Sequence, residues 1–339
     1  MDVEVTISAT HAVEGDYMSL TEVLSNKKWL PLPWLSLKFY TGKDLEFTSG
    51  TTVSDANYRN DVFHILMYQK ITRRQTFRCN KRGYYTISGL ELTAWDILME
   101  SKYIRKFPCD ARLTVFPNTI DMLEMDSLCT RVNGQLRTRI PATSDAFSFR
   151  GIREYAQTDA MRDVNFKASA RGMGLMVNMR DFVGSRQVEI FFDTKRHSLM
   201  YNEYIEERAI KIVASITERM NMQNTPFGIT TNAKSIFNNA ATISQISEGI
   251  GTQHLFMTME MLAYINTENQ EIASLAQNIF NTIDIGTGLN LEYWLVTPYF
   301  SKEIDEAYAY AKSKGARIIW IMPGSKPDNI DVNDEIIFV

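Results

Sequence analysis

The sequence predicts a β-sandwich followed by an α/β module with a mainly parallel sheet, and three observations predict it. Short segments alternate apolar and polar residues as far as about Asn118. From Arg186 onward apolar strands alternate with amphipathic helices. A chain of 339 residues, 45% of them apolar, has enough length and apolar surface for two cores.

The alternating segments run over 3–9, 17–24, 34–40, 62–68, 71–79, 84–93 and 112–116, rich in β-branched and aromatic residues. Turn residues separate them at Gly15-Asp16, Asn26-Lys27, Gly42-Lys43 and Lys81-Arg82-Gly83. Pro31-Leu32-Pro33 reads as a stiff connection, because proline has no amide hydrogen to give a central strand. This defines a first domain over 1–118, a β-rich sandwich. Helical spacing then appears over 119–129, and residues 133–149 are polar and irregular, so 119–185 is read as a linking segment.

The third part, 186–339, begins with the apolar strand 188–192. An amphipathic helix over 203–220 turns Ile205, Ala209, Ile212, Ile216 and Met220 inward. A strand over 227–231, helices over 253–264 and 270–280, and a strand over 292–296 follow. A helix over 302–314, stopped by Gly315, leads to strands over 317–322 and 335–338. Ligands meet such sheets at the carboxyl ends of the strands, so the residues after Phe192 and Val296 are the first place to look for a site.

Composition excludes several classes. A net charge of -4 leaves no basic excess for broad nucleic-acid binding. Cys79, Cys109 and Cys129 form no CxxC pair and read as reduced, packed thiols of a cytosolic protein. His11, His64, His197 and His254 are scattered, without a metal-ligand spacing. No apolar run reaches the roughly 18 residues that span a bilayer. The chain opens directly inside a strand pattern, Val3-Val5-Ile7, which suggests that a preceding segment is missing.

The most distinctive stretch is Phe149-Arg150-Gly151-Ile152-Arg153-Glu154-Tyr155, then Thr158 to Arg171. Read from the residues alone, it is either an ion-pair lattice that sets the turn between modules or an arginine-rich docking segment. Here the sequence resembles the domain of unknown function 58 family, with the signature R-x-Y-x-x-G-D-x-x-R-x-I-x-W-x-x-S-A-R. Arg153, Tyr155, Asp159, Arg162, Ser169, Ala170 and Arg171 match in order, and Lys167 lies among them. Thr158, Val164 and Phe166 depart from it. Arg82-Gly83-Tyr84-Tyr85, with Leu90 and Asp96, resembles the strand before the family's D-P-F-G segment, although Ile97-Leu98 replaces Pro-Phe.

The resemblance implies a second module like a von Willebrand factor A domain, doubly wound and mainly parallel. It further implies an accessory protein beside a MoxR-type AAA+ ATPase, aiding assembly or maturation of a client complex at the inner face of a membrane. Transmembrane helices ahead of the β-rich part would supply the anchor. Such modules hold Mg²⁺ through D-x-S-x-S, a second-loop Thr and a third-loop Asp. Here the first loop reads Asp193-Thr194-Lys195-Arg196-His197, the third ends at Thr297-Pro298, and Thr252 is a loose candidate for the Thr. Both serines are replaced, and cationic Lys195 would repel a metal. The expectation is therefore a metal-free site, with no cofactor, in which Lys195 lies against Asp193.

Three functions compete at this point. The first is a non-enzymatic interaction protein; the second, a metal-dependent ligand-binding module; the third, a hydrolase. No GxxxxGK[ST] or GxSxG motif is present, and Glu154 and Asp159 sit among arginines that would keep them ionised.

Overall fold

The computed structural model describes residues 1–47, 58–95, 100–137, 149–154, 169, 175–180, 186–196, 202–237, 244–266, 274–285, 291–324 and 335–339. The first strands are β1 (Asp2–Ile7), β2 (His11–Val13), β3 (Tyr17–Ser25), β4 (Leu32–Tyr40) and β5 (Leu45–Phe47). There follow β6 (Tyr58–Ile65), β7 (Lys70–Cys79), β8 (Gly83–Trp95), β9 (Lys102–Lys106) and β10 (Ala111–Phe116). They make two sheets, β1-β3-β7-β5 and β2-β10-β8-β4-β6, with β9 added on β8. Alternation works here as period-two geometry requires. Leu20, Leu24, Leu35, Leu37, Phe39, Phe63 and Phe77 all turn inward into one core between the sheets.

One part of this interior is ionic. Glu22 on β3, Arg59 and Asp61 on β6 and Gln75 on β7 are all buried. Arg59 Nε donates to Asp61 Oδ2 at 2.6 Å, and Gln75 Nε2 donates to Glu22 Oε2 at 3.2 Å. Burial, then the neighbouring Asp61 carboxylate, pushes the Glu22 carboxyl up to about 8.

Helix α1 (Met122–Arg137) and the two-stranded ribbon β11 (Phe149–Glu154) and β12 (Met176–Arg180) follow. The remaining elements are β13 (Gln187–Phe192), α2 (Glu203–Met222), β14 (Phe227–Thr231), β15 (Ser244–Gly249) and α3 (Thr252–Ala263). The chain then forms α4 (Ala276–Ile285), β16 (Leu291–Val296), α5 (Lys302–Ser313), β17 (Arg317–Met322) and β18 (Ile337–Phe338). The sheet order is β15-β14-β13-β16-β17-β18, with β15 antiparallel and the other neighbours parallel. Helices α1 to α3 pack on one face, over Ile190, Phe192, Trp294 and Ile319, and α4 and α5 on the other, over Phe191, Tyr293 and Trp320.

The expected fold class, a β-sandwich followed by a von Willebrand factor A-like doubly wound, mainly parallel sheet, is corrected by the strand content. Among the described residues strand accounts for 43% and helix for 28%. Among the described residues two of the four sheets are wholly antiparallel, a third is antiparallel except for the β2–β10 pair, and the fourth carries an antiparallel edge. The molecule is therefore classed as mainly β, with one mixed sheet between helical layers. The weight shifted because β5, β9 and β15 show no clear alternation: β9 is exposed at every residue, and β15 reads Ser-Gln-Ile-Ser-Glu-Gly. Such edge strands form by pairing with a neighbour, which is a tertiary property. The helix expected from 119 runs from Met122 to Arg137, and the one expected over 270–280 is found over Ala276–Ile285. No helix among the described residues is long and apolar enough to cross a membrane.

The two halves meet through Arg82, whose side chain is only 3% exposed. Its Nε donates to Glu207 Oε2 at 2.8 Å and its Nη2 to Glu207 Oε1 at 3.1 Å, on α2. Its Nη1 donates to the carbonyls of Leu262 at 2.8 Å and Ile265 at 3.1 Å, at the end of α3. A guanidinium suits this place because its planar fork can serve a carboxylate and helix-terminal carbonyls together. Lys81 adds an ion pair with Glu203.

Candidate functional site at the carboxyl end of the mixed sheet

Asp193 leaves β13 beside Val296, whose carbonyl accepts its backbone N–H at 3.1 Å. Its side chain is turned into the protein rather than out, and the residue is 2% exposed. Oδ1 accepts from the Lys195 backbone N–H at 3.0 Å and from the Asn232 amide. Asn232 follows β14, and its Oδ1 accepts from the Thr194 N–H at 2.8 Å and the Thr194 hydroxyl at 3.2 Å. Burial raises the Asp193 carboxyl to about 6, against the lowering effect of the Lys195 and Asn232 hydrogen bonds. Desolvation thus outweighs the contacts that favour the charged form.

Two ion pairs cover this junction. Lys195 Nζ lies 3.0 Å from Glu303 Oε2 in the first turn of α5. Arg196 forms a fork with Glu206 in the first turn of α2, at 2.6 and 3.0 Å, and both side chains are largely buried. Acids in the first turn are favoured by the helix dipole, so the two helices present carboxylates where the loop presents cations. Asn202 caps α2 by accepting the Tyr204 N–H at 3.1 Å. Tyr299 reaches the same corner, its hydroxyl 3.4 Å from Glu206 Oε1.

The metal-site positions read from the sequence are only partly brought together. Asp193, Lys195 and Thr297 share the carboxyl end of the sheet. Thr252 does not: it opens α3 just after Gly249, which pairs with Phe227 at the beginning of β14, whereas Asp193 follows Phe192, paired with Thr231 at its end. The Thr297 hydroxyl accepts from Trp320 Nε1 at 2.8 Å, a buried contact that anchors the indole. The ammonium of Lys195, expected against Asp193, instead pairs with Glu303; it is the Lys195 backbone that meets Asp193. Among the described residues no three His, Cys, Asp or Glu side chains come together as a metal would need. The residues here do not fit a Mg²⁺ centre: Asp193 already holds two donors, and the nearby Glu206 and Glu303 carboxylates are taken up by Arg196 and Lys195.

His197 lies outside the described residues, as do Tyr155, Asp159, Arg162, Lys167 and Arg171. Arg153 stands on β11 opposite Val177. The Ser169 hydroxyl accepts the Met176 N–H at 2.8 Å, tying the signature segment to the start of β12. Asn232, Glu206 and Glu303, which close the site, carry no motif of their own. The one available sign of Asn232 was its place directly after an apolar strand of the parallel set.

No family model matches this chain, and no curated protein matches it. Similar solved structures include domains D2 and D3 of the major pilin SpaD from Corynebacterium diphtheriae, 11% identical over 32% of this chain and 50% of that one, with a TM-score of 0.26. The seventh ScaB type I cohesin from Pseudobacteroides cellulosolvens is 14% identical over 35% of this chain and 95% of its own, at 0.24. The CARDB domain of PF1109 from Pyrococcus furiosus is 12% identical over 34% and 92%, at 0.23. At such scores these structures carry no argument about function.

Proposed function

We propose that this chain is a non-enzymatic adaptor that offers rigid surfaces to protein partners. The observation that supports this reading most is the closure of the sheet's carboxyl end. Where an α/β unit would place reacting groups, Asp193 is buried against Asn232, and the flanking cations are paired with Glu206 and Glu303. A carboxyl held in this way orders two loops and two helix ends. The junction at Arg82 supports the same reading, since it joins the two halves into one presenting body.

By resemblance the partner is a MoxR-type AAA+ ATPase with its client, the docking segment is the one containing Arg153 and Arg162, and the place is the cytoplasmic face of a membrane. Capture of the co-encoded ATPase by the immobilised chain tests this. The double variant Arg153→Glu/Arg162→Glu is expected to lose capture while keeping its melting temperature. Undiminished capture by that folded variant removes the docking segment from the proposal. The competing metal-dependent ligand-binding reading predicts a saturable rise in melting temperature with Mg²⁺ or Mn²⁺ that Asp193→Ala abolishes; the adaptor reading predicts no such rise.

A further inference from the structure

The end of the sandwich farthest from Arg82 holds an apolar surface that neither core uses. Two crossovers between the sheets lie side by side there, residues 26–31 joining β3 to β4 and residues 66–69 joining β6 to β7. Their adjacency follows from register: Ser25 pairs with Lys70, and Leu32 with Ile65. Turns at such a place are usually polar. Here Trp29 is 72% exposed, Leu66 63% and Tyr68 71%, with Leu30 and Met67 also exposed.

These side chains are held out by a built framework. Asn26, itself buried, donates from Nδ2 to the carbonyls of Leu30 at 2.8 Å and Leu66 at 3.0 Å, and accepts the Lys28 N–H at 3.1 Å. The Tyr68 N–H donates to the Lys28 carbonyl at 3.2 Å, and Leu66 N–H to Gln69 Oε1 at 2.7 Å. Tyr68 has φ of 54°, a left-handed conformation that a bulky aromatic residue adopts only at a cost. One asparagine therefore locks both turns in a shape that keeps five large apolar side chains in water.

The surroundings are cationic. Lys27, Lys28 and Lys70 flank the turns, and Lys102 stands on the same end through Trp95, which pairs with Trp34 on one side and Lys102 on the other. All four lysines are exposed. Against them, the described acids at this end are Asp2, paired with Lys27 at 2.6 Å, and Glu100. Trp and Tyr with Leu and Met on protruding turns, backed by lysines, match the layering of a bilayer surface, where aromatic rings sit at headgroup level and cations meet lipid phosphates. A protein partner would need a groove shaped to two fixed turns, whereas a bilayer needs none.

We propose that this end of the sandwich docks on an anionic lipid bilayer, inserting Trp29, Leu30, Leu66, Met67 and Tyr68 while the lysines contact the headgroups. This surface is separate from the closed site and the signature segment, so it stands or falls independently of the adaptor reading.

Flotation of the full chain with phosphatidylcholine vesicles, with and without phosphatidylglycerol, tests it. Binding is expected only with phosphatidylglycerol and is expected to weaken with salt. Trp29→Ser/Leu66→Ser and Lys28→Glu/Lys70→Glu should each lower partitioning by about tenfold or more. All four residues are exposed, and an unchanged melting temperature shows that the variants fold. Absence of the chain from floated anionic vesicles at low salt, or equal flotation of folded variants, overturns the proposal. So does self-association of the lipid-free chain that Trp29→Ser/Leu66→Ser abolishes, in the absence of vesicle binding, which would assign the surface to a second copy.

Discussion

Arg82 offers the sharpest test of how the two halves are held. Truncation to alanine removes both hydrogen bonds to Glu207 and those to the Leu262 and Ile265 carbonyls, all at 2.8–3.1 Å. The carboxylate left behind is largely buried, with a side-chain exposure of 16%, so water recovers only part of its solvation. Breaking one side of a buried ion pair costs about 3–5 kcal/mol, most of it from the stranded partner. The expected loss for Arg82→Ala therefore lies in that range, and urea unfolding should separate into two transitions, one for each half. Glu207→Gln alone should cost less, and the Arg82→Ala/Glu207→Gln double variant should recover about 2 kcal/mol relative to additivity. Arg82→Lys is expected to behave closer to alanine than to arginine, because an ammonium lacks the planar fork. A loss below about 1 kcal/mol with a single unchanged transition, or strict additivity in the cycle, would refute the reasoning.

Asp193→Asn keeps an acceptor for Lys195 and Asn232 but cannot ionise. With the folded carboxyl at about 6 and its ordinary value at 3.8, wild-type stability should fall as pH rises between those values, by about 1.4 kcal/mol per pH unit at most, and the variant should lose that slope in melting curves. The same sign holds for Glu22, raised from 4.5: its contribution is present at low pH and lost as pH climbs towards about 8. Glu22→Gln is expected to be more stable than the parent at pH 8, and a parent whose stability is flat from pH 6 to 8 would contradict this. Gly42→Ala would drive a methyl group into the Tyr85 ring, whose hydroxyl donates to the Lys81 carbonyl at 2.8 Å. A loss of about 1–3 kcal/mol is expected from denaturant titration, and recovery in Gly42→Ala/Tyr85→Leu would confirm that the ring is the obstacle.

The strands with strong alternation, such as the one expected over 17–24 and found over Tyr17–Ser25, were legible in the residues because one face of each had to be buried. The same holds for the apolar strand over Arg317–Met322, whose last five residues are all buried. Asp193 and Thr297 were legible as positions, since strand ends in a parallel sheet mark where loops converge. What closes Asp193 was not: Asn232 lies 39 residues along the chain and Glu303 lies 108 residues from Lys195, and nothing local couples them. Lys195 was expected to point at Asp193, yet its long stem carries the ammonium to α5, a choice made by where that helix begins. The balance of the fold class was likewise set by edge strands such as β9 and β15, which carry little pattern and exist through their neighbours. Sequence determined which residues must leave water; the tertiary structure decided which charges they meet, because burial follows local periodicity while ion pairs depend on distances across the packed fold.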